Sequence, residues 1–431
     1  MKTGWKKTIA PLVLVLGAVA LAACGGSDNK TDSGAAAGTD AAAPAAGTLI
    51  IGTDLPLQGA SADASADTNL AIKLLLEKVG NKAGTYNVGL KEYDDSTAAK
   101  GAWDDATCTA NANAHVTNKA EVAVMGTYNS GCAKLEVPIL NQDPSGPMLM
   151  ISHANTNPGL TKAWDPGEPQ KYYPTGKLNY GRIIATDDFQ GKAGAQFAAK
   201  ELGVKNCYVL NDAQTYGQGV AKAFVDAAPG VGITVIANDA WDSKQTNYTA
   251  LFEKVKSKNP DCVYLGGIND NNGQQLIKDK VKVLGPNDGA VKLIGPDGFT
   301  GYPELRKMPE AQGMYISFAG IPSGELVKQG GFGGTFVTDF KTKYGHDPAS
   351  FYSIYGAAAT QLILAAIAKS DGTRKGVNDA AFSGITIPAD QSILGKEFGI
   401  DATGDVTVKD MSFNLMKGNE ETFLKPWPLD G

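Results

Sequence analysis

The chain has 431 residues, 43% of them apolar and 52 of them glycine, which is ample for two substantial cores. Its 39 basic and 45 acidic residues leave a net charge of −6, and no Lys/Arg cluster follows residue 7, which argues against a nucleic-acid partner. The three histidines lie far apart and no two have metal-ligand spacing, so neither a metal nor a cofactor is expected.

The first element is a leader. "MKTGWKK" is basic, and "IAPLVLVLGAVALAA" is an apolar stretch of signal-peptide length, short of the roughly 20 apolar residues of a membrane span. "LAAC", residues 21–24, resembles the bacterial lipobox. That resemblance implies removal of residues 1–23 and a diacylglyceryl group on the Cys24 sulfur, holding an exported protein at the cell membrane. An uncleaved membrane helix with an incidental cysteine is the competing reading. Residues 24–47 are mostly Ala, Gly, Ser, Thr and Asp, which cannot bury a core, and read as a flexible tether.

From Thr48 onward strand and helix alternate. "TLIIGTDLP" predicts a strand, "ADTNLAIKLLLEKV" a helix, "NVGLKEYDD" a strand, "WDDATCTANANAHV" a helix and "EVAVMG" a strand. "AKLEVPILNQD" is a short helical pattern interrupted by Pro138, and "PMLMIS" is again a strand. After the Pro/Gly-rich "DPGEPQKYYPTGKLNYG" the cadence restarts with "GKAGAQFAAKEL" (helix), "NCYVLND" (strand), "GQGVAKAFVDAA" (helix) and "ITVIANDAW" (strand). "YTALFEKVKS" (helix), "DCVYLGGI" (strand), "NGQQLIKDKVKVL" (helix) and "VKLIGPDG" (strand) continue it. The fold class is therefore α/β with parallel-sheet cores, in two successive lobes. The remainder holds the long apolar helix "SIYGAAATQLILAAIAK" and a strand-rich finish.

Export permits disulfides. Cys108 falls in a helix and Cys132 after the next strand, so packing could join them, and closing that loop would stabilise by roughly 3 kcal/mol. Cys207 and Cys262 each open a strand, either bonded or as two buried thiols.

In parallel sheets ligands bind beyond the carboxyl ends of strands, where helix N-termini present free N–H groups. Two such corners fall in the first lobe. "ISHANTNPGL" offers Asn155, Thr156 and Asn157 before Pro158, and "VMGTYNSGCAKL" offers Tyr128, Asn129 and Ser130 before a helix. Together they make an uncharged, donor-rich cradle suited to a carboxylate, although each residue alone reads equally as an ordinary cap or turn former. In the second lobe Asp297 follows an apolar strand in "LIGPDGFTG", placed to accept from an ammonium or simply to form a turn.

Taken in order, "IIGTDLPLQG", "LKEYDDSTA", "GTYNSG", "ISHANTNPGLT", "ATDDFQG", "QTYGQGVA", "DCVYLGGI" and "IGPDG" resemble the leucine/isoleucine/valine-binding proteins, extracytoplasmic receptors of ABC importers with the type I periplasmic-binding-protein fold. The resemblance implies two Rossmann-like lobes joined by three crossovers. Residues 48–181 with about 319–395 would form one lobe, and 182–318 with about 396–431 the other. It implies a monomer that holds an amino acid, hydrophobic or branched-chain, in the cleft and hands it to a membrane permease. Ser130 matches the serine on the ligand carboxylate, Asn155 and Thr156 the next corner, Tyr216 the tyrosine that closes over the ligand, and Asp297 the acid on the ammonium, one methylene shorter. Tyr128 and Ile268 would wall the pocket, Ile268 replacing a family tyrosine, while Ala64 stands near the place of a family aromatic. A family disulfide is partly matched by Cys108 and Cys132, and residues 163–176 have no evident counterpart. Same-fold receptors for amides, urea-like solutes or small carboxylates, or for sensing rather than transport, are the alternatives.

An enzyme is disfavoured. "YGQGVAKAF" lacks the third glycine of a dinucleotide loop, and no "GxSxG" elbow surrounds Ser130.

Overall fold

A computed structural model describes residues 47–428; the leader, Cys24 and the tether to residue 46 lie outside the described residues. The first lobe is built on a six-stranded sheet in the order Lys82–Ala83, Tyr86–Asp94, Thr48–Leu55, Glu121–Gly126, Leu149–Ser152, Tyr180–Arg182. All neighbours are parallel except the hairpin of the first two. The second lobe has seven strands in the order Thr234–Ala240, Asn206–Asn211, Cys262–Gly266, Lys292–Gly295, Tyr315–Phe318, Ser412–Lys417, Glu420–Pro426. Its last two are antiparallel additions.

Composition explains position. Glu121–Gly126 and Cys262–Gly266 are buried at every residue, as parallel strands covered by helices on both faces must be. Glu420–Pro426, an edge, alternates exposed and half-buried side chains because one face meets water. The helix Ser130–Asn141 runs through Pro138 rather than being interrupted there, since a proline near the C-terminal turn removes a single ladder bond.

Three crossovers join the lobes. The chain leaves the first sheet after Arg182 and returns after Phe318, when the helix Phe351–Lys369 packs on Ala62–Lys78. That helix is long and apolar enough to cross a membrane, but it is buried on most of its circumference as a core helix. Gly356 permits its close approach, because a Cβ there would lie 2.3 Å from Thr68 Cγ2. The last crossing comes at Ser412 rather than near 396, because Gly404 O still accepts from Arg182 N at 2.8 Å on the edge of the first sheet.

Cys108 and Cys132 are bonded, tying the helix Asp105–Thr117 to Ser130–Asn141. Cys207 and Cys262 are bonded too, across directly paired residues of adjacent strands.

The segment 163–176 is stapled beside the helix Ser130–Asn141 by the buried Glu168. Its carboxylate meets Lys134 Nζ at 2.8 Å, Tyr172 OH at 2.6 Å and Lys171 Nζ at 3.2 Å. Burial alone would raise its pKa, but these donors outweigh burial and hold it down to about 2. A carboxyl depressed in the folded state contributes stability that is full above its unfolded value of 4.5 and is lost as pH falls through about 2. Glu168→Gln should therefore lower the unfolding free energy at pH 7 by up to about 3 kcal/mol and flatten its pH dependence between those limits. Urea titrations at several pH values check this; equal acid sensitivity in both proteins would count against it.

Candidate ligand-binding site

The carboxyl ends of Glu121–Gly126 and Leu149–Ser152 form two corners that are stitched together. Ser152 Oγ donates to Thr127 O at 2.9 Å and accepts from the N–H groups of Ala154 and Asn155 at 3.1 and 2.9 Å. Asn155 spends its whole side chain on the same joint. Its Nδ2 donates to Thr127 O and Tyr128 O at 2.9 and 3.0 Å, and its Oδ1 accepts from Tyr180 OH at 3.1 Å. The Asn155 side chain thus shapes the corner, and Ala154, its neighbour in sequence, lines the cavity.

Beneath the corner lies Arg182, fully buried. Its Nη1 donates to Asn155 O and Asn157 O at 2.8 and 2.9 Å, its Nη2 to Thr161 Oγ1 at 2.7 Å, and its Nε lies 3.0 Å from Asp405 Oδ1. Sequence reading passed over Arg182; an arginine set among apolar residues in "YGRIIA" was the available signal. Ser130, first residue of its helix, accepts from Asn157 N at 3.3 Å. Thr156 is 1% exposed and its hydroxyl lies against the buried Asp187 carboxyl.

Opposite stands Asp297, 3% exposed, in a single turn after the strand Lys292–Gly295. Its Oδ1 accepts from Tyr216 OH and, at 3.0 Å, from Gln190 Nε2; its Oδ2 accepts from Tyr352 OH. Gln190 Oε1 accepts in turn from Asp297 N at 3.0 Å and Ser317 Oγ at 2.8 Å. Burial raises the Asp297 pKa above the ordinary carboxylate range, although the two hydroxyls and the Gln190 amide pull the other way. Gly298 is required beside it, since a Cβ would come 2.3 Å from Gly267 O.

Tyr128, Asn129, Ser130, Ala154, Tyr216, Ile268, Asp297, Gly298 and Tyr352 line one cavity. The structure therefore brings Ser130, Tyr128, Tyr216, Ile268 and Asp297 together, while Thr156 lies behind the wall. Tyr352 was missed, because it enters from a helix start far along the chain, signalled only by the Ser350 cap. Tyr128 meets His153 and Tyr352 edge-on, each at 5.6 Å. His153 is buried with neither ring nitrogen bonded, and burial lowers its pKa to about 3, so this wall is neutral. Around the cavity the lobes touch directly: Ser61 Oγ donates to Asp270 Oδ1 at 3.0 Å, and Asn157 Nδ2 to Thr215 O at 3.3 Å.

Comparison with known proteins agrees with this architecture. The profile of the periplasmic binding protein family matches residues 48–413. A leucine-, isoleucine-, valine-, threonine- and alanine-binding protein of Pseudomonas aeruginosa is 26% identical over 76% of this chain and 79% of its own length. A Leu/Ile/Val-binding protein of Rhizobium johnstonii is 30% identical, but over 41% of this chain and 43% of its own. Among solved structures, a leucine-binding protein of Thermotoga maritima aligns with a TM-score of 0.72 at 21% identity, covering 88% of this chain and 99% of that one. A solute-binding protein of R. palustris in complex with benzoate aligns with a TM-score of 0.71 at 19% identity, covering 88% and 96%. A family match spanning both sheets, on two lobes whose strand ends converge on one cavity, places this chain in the periplasmic binding protein family, with the type I fold.

Proposed function

We propose that the protein is an extracytoplasmic receptor for an α-amino acid with a hydrophobic side chain, which it passes to an ABC-type permease. The observation that carries this reading is the polarity of the cavity. Asp297, the carboxylate among the residues lining the cavity, forms one wall with two tyrosine hydroxyls, and the Ser130 corner, uncharged and at a helix N-terminus, forms the other. An ammonium deprived of water needs a counter-charge, whereas a carboxylate is served by neutral donors and the positive end of a helix. The Ser130 hydroxyl accepts from Asn157 N, which leaves its proton for a ligand oxygen. Ile268 and the rings of Tyr128 and Tyr352 would surround the side chain. The relatives named for leucine, isoleucine and valine support the same class.

Mass spectrometry of small molecules released from the purified protein, followed by thermal-shift titration, tests the reading. The ligand at 100 times its dissociation constant should stabilise by about 2.7 kcal/mol. Recovery of an aromatic acid instead would favour a second reading, supported by the tyrosine-rich wall and by the benzoate-bound relative.

The basic and apolar leader and the lipobox-like "LAAC" support a lipid anchor on Cys24 that would hold this receptor on the outer face of a cell membrane. Cys24→Ser should release the protein into the soluble fraction or medium, followed by immunoblot after fractionation; full membrane retention would exclude the anchor.

A further inference from the structure

We propose that Asp54, His115 and Glu136 form a binding site for a divalent metal ion of the zinc type inside the first lobe, apart from the ligand cavity. Asp54 lies near the end of the strand Thr48–Leu55, His115 in the last turn of the helix Asp105–Thr117 and Glu136 midway along Ser130–Asn141. All three are fully buried, and one donor atom from each lies within 4.8 Å of the others. His115 Nε2 is 3.3 Å from Asp54 Oδ2. Two ligands of a tetrahedral ion with bonds of about 2.0–2.1 Å stand about 3.3–3.4 Å apart, so this edge already has the right length.

The surroundings are those of a metal-ligating histidine. His115 Nδ1 bonds to Glu121 Oε1, and Glu121 Oε2 accepts from Tyr93 OH and Asn118 Nδ2, both at 3.0 Å. A carboxylate on the far nitrogen fixes the ring and turns Nε2 inward. Asp54 Oδ1 is held by Asn111 Nδ2 at 3.0 Å, which leaves Oδ2 facing the centre. Gly52 gives the pair room, since a Cβ there would lie 2.1 Å from Glu121 Oε1.

An independent observation points to a missing partner. Glu136 Oε1 meets Cys132 Sγ at 3.3 Å, a disulfide sulfur without a proton, and the partner of its carboxyl is the Asp54 carboxyl, a second acid rather than a cation or a neutral donor. Both oxygens of the buried Asp95 are unpartnered. Among the described residues, His115 is the only ion-pair partner of these four acids. Buried carboxylates are stable only when paired, hydrogen-bonded or ligating a cation. One imidazole with carboxylates suits Zn²⁺ or a neighbouring transition ion better than Ca²⁺ or Mg²⁺, which take oxygen ligands. No sequence motif announced the site, because its ligands come from three separate elements.

The test refolds the full chain from denaturant with Zn²⁺ or Co²⁺ present, removes free metal and measures bound metal by mass spectrometry, with visible absorption for Co²⁺. The wild-type protein should retain one ion per chain, with the strong absorption of low-coordinate Co²⁺. Glu136→Gln and His115→Asn should lose it, and Glu121→Gln, which only orients the histidine, should weaken affinity about 10- to 100-fold. Wild-type protein that retains no stoichiometric metal overturns the proposal, whatever the variants do, and leaves the cluster a network held by protons. Variants that fold by circular dichroism and keep the metal would overturn it too.

Discussion

Asp297→Ala is expected to nearly abolish amino-acid binding while leaving the fold intact. Asp297 is the acid that faces the cavity, and both of its oxygens are already aimed by Tyr216, Tyr352 and Gln190. Without it, a bound ammonium would sit among tyrosine hydroxyls with no counter-charge. Truncating one partner of such a buried pair costs on the order of 2–5 kcal/mol, or roughly 30- to several-thousand-fold in affinity. Asp297→Asn keeps the shape but not the charge, and should fail almost as badly. Ser130→Ala removes one neutral donor and should cost less, about 1–3 kcal/mol. Calorimetry with the identified ligand reads all three, and unfolding midpoints establish that each variant is folded. Binding of an α-amino acid by Asp297→Ala within a few-fold of the parent would sink the headgroup assignment. A solute without an amine makes the opposite forecast, since it should bind that variant as well as the parent, or better.

What could be read in advance follows a physical division. Apolar runs such as "EVAVMG" and "DCVYLGG" are strands because only two-sided burial tolerates them, and that signal is local. Ser130 and Asp297 were legible because strand ends and helix starts mark where a parallel sheet opens to ligands. The side chain of Asn155 is turned into the corner for a physical reason. A buried amide in a corner must first satisfy its own donors and acceptor, and the backbone carbonyls of Thr127 and Tyr128 lay nearer than any ligand. Tyr352 and Gln190 reach Asp297 from elements whose place depends on the crossovers, so their roles are tertiary and left no trace in spacing. The return to the second sheet at Ser412 was obscured similarly, because the preceding stretch is anchored by a backbone bond to Arg182 rather than by an apolar pattern.

Arg182 carries the second large effect. Its guanidinium is fully buried and closes four contacts at once: two carbonyls of the Asn155–Asn157 corner, the Thr161 hydroxyl and the Asp405 carboxylate. Burial pushes the Asp405 pKa up, but Arg182 and then Lys162 outweigh it and hold the carboxyl below its ordinary range. Arg182→Leu would leave that carboxylate with Lys162, 3.3 Å away, as its remaining cation and the Thr161 hydroxyl, at 2.7 Å, as its buried donor, and would strand two buried carbonyls. Breaking a buried pair from one side costs about 3–5 kcal/mol, a large share of a domain's net stability. Arg182→Lys keeps the charge but not the planar fork, so it can serve Asp405 or the corner, not both, and should fall between. Removing both charges in Arg182→Leu/Asp405→Leu should recover part of the loss, because no unpaired carboxylate remains. The corner makes this more than a stability argument. With Asn155 O and Asn157 O released, Asn157 N shifts relative to Ser130 Oγ, so ligand affinity should drop even in the partly rescued double variant. Denaturant midpoints and calorimetry on the same three proteins separate the two effects. A loss of under about 1 kcal/mol in Arg182→Leu, with affinity unchanged, would show that the corner holds itself.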